Sequence, residues 1–155
     1  AKDRLATRTA LKAWLEHGMH VFANRYVPAN QGHQGSKIAD PAERATFWAW
    51  EDALEYGTNG LPRPAVTVIL HVPVDISLQL IERRGLMKDG HETRAHLELA
   101  EKAYLELAQT SPEFTVVECA PGGNRLEDLL SMDAIHELVW VKVKPLLGDA
   151  PSAKQ

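Results

Sequence analysis

Apolar residues return at helical spacing from the start of the chain. Leu5, Leu11, Trp14 and Leu15 fall near a 3.6-residue period and Gly18 offers a C-cap, which predicts a helix over residues 2–17. Residues 19–23 (Met-His-Val-Phe-Ala) are a short apolar run bounded by that glycine and by Asn24-Arg25, the signature of a buried strand. Pro28 biases Val27 away from helix, so 27–30 reads as loop. Residues 31–38, with two glycines, have no decided pattern. Asp40-Pro41-Ala42-Glu43 predicts a helix start, with a capping carboxylate, a proline in the first turn and a Glu three residues on. That helix runs to about Tyr56 and stops at Gly57. Residues 60–64 (Gly-Leu-Pro-Arg-Pro) read as a rigid linker.

The clearest strand covers 66–72 (Val-Thr-Val-Ile-Leu-His-Val), a β-branched run suited to a parallel sheet covered on both faces. Pro73 ends it, and Asp75 can cap a helix reaching Arg84. Residues 85–90 are a charged break. A long amphipathic helix follows over 92–109, with Leu97, Ala100, Tyr104, Leu107 and Ala108 on one stripe. A third strand is expected over 115–119 and a last helix within 126–143, with a fraying tail after Pro145. Strands separated by helices imply a parallel sheet in an α/β architecture. Three strands are few for this length, and none precedes the first helix. The expectation is therefore that sequence before Ala1 supplies a further strand. Neither a repeat nor a low-complexity segment is present.

Composition narrows the field. The chain has 155 residues and 45% are apolar, enough for one domain with a real core. Cys119 has no partner for a disulfide. A net charge of −4 argues against nucleic-acid binding by charge alone. No apolar run approaches membrane-spanning length and no export signal is visible, so a cytoplasmic protein acting away from membranes is expected.

Several local patterns carry candidate chemistry. Arg25 follows the first expected strand, where α/β sheets bind ligands and where a guanidinium can grip a phosphate; it would equally suit a plain surface arginine. The amide- and glycine-rich stretch behind it could line a ligand or form an ordinary turn. Arg83, Arg84 and Lys88 place three cations in a glycine-flanked loop, suited to closing over a polyanion as a lid or to lying solvated between helices. His91-Glu92-Thr93-Arg94-Ala95-His96 only imitates a zinc-protease helix, since its histidines are one residue too far apart to share a face. His17 and His20 read as surface residues, and Trp14, Trp48, Trp50 and Trp140 as core or interface packing. A metal site is not expected in the chain. No Gly-rich phosphate loop, nucleophile elbow or Cys/His dyad occurs.

Taken in order, these pieces resemble the thymidylate kinase family of P-loop nucleoside monophosphate kinases. Ala1-Lys2-Asp3-Arg4 looks like the family's Phe-Ala-x-Asp-Arg helix, entered after its Phe. Asn24-Arg25-Tyr26-Val27-Pro28-Ala29-Asn30 looks like Asp-Arg-Tyr and its continuation. Gly60-Leu61-Pro62-Arg63-Pro64 resembles Gly-Leu-Pro-x-Pro-Asp, and Arg83 to Glu92 looks like the lid, closing on Asp89-Gly90-His91-Glu92. The likeness spans the chain to Pro145.

The resemblance implies a three-layer P-loop-type parallel sheet with helices on both faces, here without the N-terminal strand and phosphate loop. It implies one domain over 1–147, with 148–155 as a disordered tail. The implied activity is phosphoryl transfer from ATP to dTMP, giving dTDP and ADP, with Mg2+ accompanying ATP. Without the phosphate loop the chain alone would be inactive; a non-catalytic nucleotide-binding or interaction module is the rival expectation. The implied acceptor-site residues are Arg4, Arg25, Asn30, His33 and His91, with Arg4 on the base and Arg25 on the monophosphate. Arg25, Arg84 and Lys88 would be catalytic. Arg83, Arg84, Lys88, Asp89 and Glu92 would form the lid, and Ala120, Pro121 and Gly122 would approach the donor adenine. A homodimer is a further implication. The sequence departs from the family pattern at Asn24, where Asp is usual, at His33 and His91, where tyrosines are common, and at Ala65, where Asp is usual.

Overall fold

The fold was analysed in a computed structural model, which describes residues 2–85 and 93–148, with side chains from Arg4 onward. Helix α1 (Lys2–Glu16) ends at Gly18, whose φ of 74° supplies the left-handed turn and whose N–H bonds Leu15 O at 3.0 Å. The expected strand at 19–23 is not formed. The segment has no ladder partner, and Met19, Val21 and Phe22 stand exposed. A strand exists only through a neighbour that satisfies its backbone, and among the described residues no strand lies alongside this one.

The loop expected at 27–30 is also corrected. Helix α2 (Val27–Gly35) starts there with Pro28 in its first turn, the one helical position where a missing N–H costs nothing. Helix α3 (Pro41–Asp52) begins as its motif predicts, with Asp40 accepting from Ala42 N at 2.8 Å and Glu43 N at 2.9 Å. It then widens into a π-helix (Ala53–Thr58), carrying the helical path past the expected stop at Gly57.

Among the described residues the sheet has two strands. β1 (Thr67–His71) pairs in parallel with β2 (Phe114–Glu118), from Thr67 opposite Phe114 to His71 opposite Glu118. Helix α4 (Val74–Arg84) and helix α5 (Arg94–Leu107) form the crossover. Pro73, not Asp75, occupies the N-cap of α4, and Asp75 instead pairs with Arg94 at 2.7 Å. The final helix lies within the expected 126–143 range. A 3-10 turn (Leu126–Asp128) precedes α6 (Met132–Val143), which Ser131 caps through Ala134 N at 3.2 Å. A parallel two-stranded sheet flanked by helices is thus present, without the third strand expected from sequence among the described residues.

A small core joins α2, α3 and α5. Trp48, Ala103 and Leu107 are buried together, with Phe47 and Phe114 packed on them. Trp48 Nε1 donates to Gln31 O at 2.9 Å. The other tryptophans stay at the surface, Trp50 at 58% exposure and Trp14 at 47%. On the opposite side, the open edge of β1 faces the extended 19–26 segment across an apolar groove of about 1090 Å³, walled also by α5 and α6.

Candidate functional site

Among the described acceptor-site candidates, Arg25 lines the groove between residues 19–26 and β1. Arg25 stands at its rim with φ 66°, the left-handed conformation that a side-chain-bearing residue adopts only at a cost. This residue turns the chain from the extended segment into α2. Its guanidinium has no hydrogen bond or ion pair among the described residues. The first turn of α2 beside it is uncapped by any side chain and contains no acidic residue. The N–H groups of a helix start carry partial positive charge, so guanidinium and helix end present one electropositive corner.

Tyr104 of α5 braces that corner. Its hydroxyl donates to Ala29 O at 2.9 Å, and its ring lies against Gly32, where a Cβ would come within 2.3 Å of it. Burial pushes its phenol pKa up, and the nearby Arg25 charge opposes the rise.

Two further expected residues meet on buried carboxylates. Glu55, 1% exposed, accepts from Arg4 Nε at 3.2 Å and Nη2 at 2.5 Å, and from Asn59 Nδ2 at 3.0 Å. Glu51, 3% exposed, accepts on Oε1 from Asn30 Nδ2, while Arg4 Nη2 lies 3.8 Å from the same oxygen. Glu51 Oε2 is buried without a partner. Burial raises the Glu51 pKa, opposed by the Asn30 hydrogen bond and the Arg4 charge. Burial pushes Glu55 the same way, yet its bonds from Arg4 and Asn59 win and leave its pKa lowered.

The remaining expectations divide. His33 lies on α2 with its ring edge-on to His96 of α5, centroids 5.5 Å apart. Arg83 and Arg84 close α4, where cations favour the helix C-terminus. Lys88, Asp89, His91 and Glu92 lie outside the described residues. Ala120 is buried, and Pro121 and Gly122 are exposed just beyond β2. Asp128 folds back on that turn, accepting from Arg125 N at 2.9 Å. A polar cavity of about 390 Å³ lies between Gln79 and Arg83 of α4 and Arg125, Leu126 and Glu127. At the carboxyl end of the sheet, His71 is held between Glu118, through Nδ1, and Glu101, 2.8 Å from Nε2. Among the described residues no group of three His, Cys, Asp or Glu side chains is placed to hold a metal ion. No described helix is long and apolar enough to cross a membrane.

Sequence reasoning missed Glu51, Glu55, Tyr104, Gln79 and Arg125. The first two sit four apart on one helical stretch, a spacing that by itself does not tell a buried pair from a solvated one.

The chain is similar to curated thymidylate kinases. It is 29% identical to that of Pseudomonas fluorescens over 114 residues, 72% of this chain and 51% of the relative. With the Nitrobacter hamburgensis thymidylate kinase it shares 32% identity over 114 residues, 70% of this chain and 46% of the relative. The Alkalilimnicola ehrlichii thymidylate kinase is 34% identical over 101 residues, 64% and 44% of the two chains. No protein-family profile matches. No solved structure matches. The chain therefore spans about half the length of the curated relatives it matches, and over that half its sequence is related to thymidylate kinases.

Proposed function

We propose that this chain carries the acceptor side and lid of an ATP:dTMP phosphotransferase, whose complete form makes dTDP and ADP. The observation that carries the reading is Arg25, with its strained backbone, its unpaired guanidinium and the uncapped helix start beside it. Such a corner suits a monophosphate, because a guanidinium and backbone N–H groups together satisfy its oxygens. Arg4 and Asn30 would hold the base. Arg83, Arg84, Lys88, Asp89, His91 and Glu92 would serve the lid, with Arg84 and Lys88 offsetting charge that develops on the transferred phosphoryl group. His33, turned toward His96, is a weaker base contact than Asn30. The donor adenine would lie near Ala120, Pro121 and Gly122, and the cavity between Arg83 and Arg125 supports a donor site on that side.

The finer fold belongs to the same proposal. The groove has an open strand edge on one wall and an extended, unpaired segment on the other. A further parallel strand would pair with both and complete a three-layer sheet within one domain over 1–147. These 155 residues contain no Gly-rich phosphate loop, so we propose that alone they bind acceptor but show no turnover. A dTMP kinase of this kind would work in the cytoplasm, away from membranes and nucleic acid, and a homodimer is compatible with the exposed Leu5, Trp14 and Leu15 of α1.

Calorimetry with dTMP, thymidine and ATP tests the acceptor assignment. Arg25→Ala should weaken dTMP by at least about 10- to 100-fold, because charge-assisted bonds to the phosphate are lost. Arg25→Lys should recover part of that loss. Thymidine and ATP should be almost unaffected. Equal losses for dTMP and thymidine would assign Arg25 to the fold alone.

A further inference from the structure

His71 ends β1 with a carboxylate on each side of its ring. Glu118, its partner across the ladder, meets Nδ1, and Glu101 of α5 lies 2.8 Å from Nε2. An ionised carboxylate only accepts, so both ring nitrogens must donate, which is the arrangement of an imidazolium. Burial opposes that charge, yet the two carboxylates outweigh it and leave the His71 pKa raised. To the groove beside His71, α4 brings Val74 and Ser77, neither of which titrates, while His20 and Arg25 of the extended segment and His136 of α6 line it from the other walls. Three residues after Glu101, on the same face of α5, stands Tyr104. Its hydroxyl donates to Ala29 O at 2.9 Å and its ring packs on Gly32, both in α2, whose first turn follows Arg25. One face of α5 is thus tied to the end of the sheet and, a turn later, to the phosphate corner.

We propose that His71 is a positioning residue for the phosphate corner, acting through Glu101 and α5, so that acceptor affinity falls as His71 gives up its proton. The inference rests on the acceptor-site reading above and goes beyond it to the control of that site. A neutral imidazole has one N–H and one lone pair. Loss of the proton therefore takes the charge from both contacts and turns a lone pair on one of the carboxylates. Charge-assisted bonds are the strong ones, so both contacts weaken. The strands stay held by their ladder, whereas the tie between α5 and the end of β1 loosens. Tyr104 moves with α5 and braces the start of α2 less firmly. Arg25 keeps its left-handed backbone only while its surroundings enforce it, so a weaker brace spreads the guanidinium over more positions.

Calorimetric titration of dTMP into the 155-residue chain between about pH 5.5 and pH 9 provides the test. Dividing the wild-type affinity at each pH by that of His71→Gln cancels the titration of the ligand's own phosphate. The ratio should be about threefold or more at the acid end and approach one at the alkaline end. Glu101→Gln should lower the acid-end affinity as His71→Gln does. Glu118→Gln should keep it and move the change to lower pH, since one of the two carboxylates that hold the proton is gone. A ratio that stays level with pH, in proteins folded at the assay temperature, overturns the proposal. So does a Glu118→Gln protein that loses acid-end affinity as Glu101→Gln does. If His71→Gln does not fold, wild type decides by reciprocity. Saturating dTMP should raise the midpoint of the His71 imidazole proton resonance by about half a pH unit, the counterpart of a threefold coupling, and an unmoved midpoint overturns the proposal. Binding of dTMP with a level ratio removes this inference and spares the acceptor site. Failure to bind dTMP at any pH removes both.

Discussion

The Tyr104 ring lies so close to Gly32 that a Cβ at position 32 would stand 2.3 Å from it. Glycine is required here by contact, since the turn of α2 itself would accept alanine. Gly32→Ala should therefore lower stability by about 1–3 kcal/mol through overpacking. Gly57→Ala, with nothing within 4 Å of the added carbon, should be close to neutral. Thermal unfolding of the two variants checks the contrast. A Gly32→Ala protein as stable as wild type would mean that α2 and α5 part freely.

Arg25 separates stability from binding. Its φ of 66° suits glycine, and the left-handed region costs a side-chain-bearing residue about 1–2 kcal/mol. Glycine offsets part of that through its greater chain entropy. Arg25→Gly should therefore unfold at the same temperature as wild type or a little higher, yet lose its affinity for inorganic phosphate and dTMP. Calorimetry and a melting curve on one sample suffice. A variant both less stable and unchanged in binding would show that the residue serves packing.

His71 should make stability depend on pH. Burial lowers its pKa, but the bonds to Glu118 and Glu101 outweigh this and leave it raised above the ordinary 6.5. The folded state thus holds the proton more tightly than the unfolded chain. The stabilising contribution is fully present below about pH 6.5 and fades as pH rises through the folded value. His71→Gln should flatten the change in melting temperature between about pH 6 and pH 8.5. A slope that survives the substitution would assign the pH response to another group.

The open edge of β1 and the apolar groove beside it should bind an environment-sensitive apolar dye and promote self-association. Leu70 is 53% exposed, and Leu70→Lys should reduce the association seen by sedimentation, because a charge on an edge strand opposes strand docking. A monodisperse, dye-silent wild type would contradict this.

The two paired strands were legible in the sequence because β-branched runs bounded by proline, glycine and charge have few other fates. The Asp40 cap was equally legible, since its geometry is local. Residues 19–23 carry the same kind of apolar run, but a strand is a property of two segments, and among the described residues no strand pairs with this one. Pro28 misled for a related reason: it disfavours helix before itself yet suits the first turn of one. Arg25 stood out from its place at a strand exit, but its left-handed backbone had no signature in the sequence. Glu51 and Glu55 went unremarked because four-residue spacing on a helix is common. Only tertiary packing decides whether such a pair faces water or, as here, Arg4 and Asn30.

The π-helix at Ala53–Thr58 bears on how length variation can be absorbed in this protein. Asn59 N reaches back five residues to Leu54 O at 2.8 Å, so the turn holds a residue more than an α-helical path needs. Removing one residue there would let the chain relax into an ordinary turn and leave Trp48 and Glu51 facing as they do. The same deletion within Pro41–Asp52 would rotate everything beyond it by about 100°, carrying buried side chains into water. The wide turn is thus a natural place for insertions and deletions to be gained and lost while the upstream helix keeps its register.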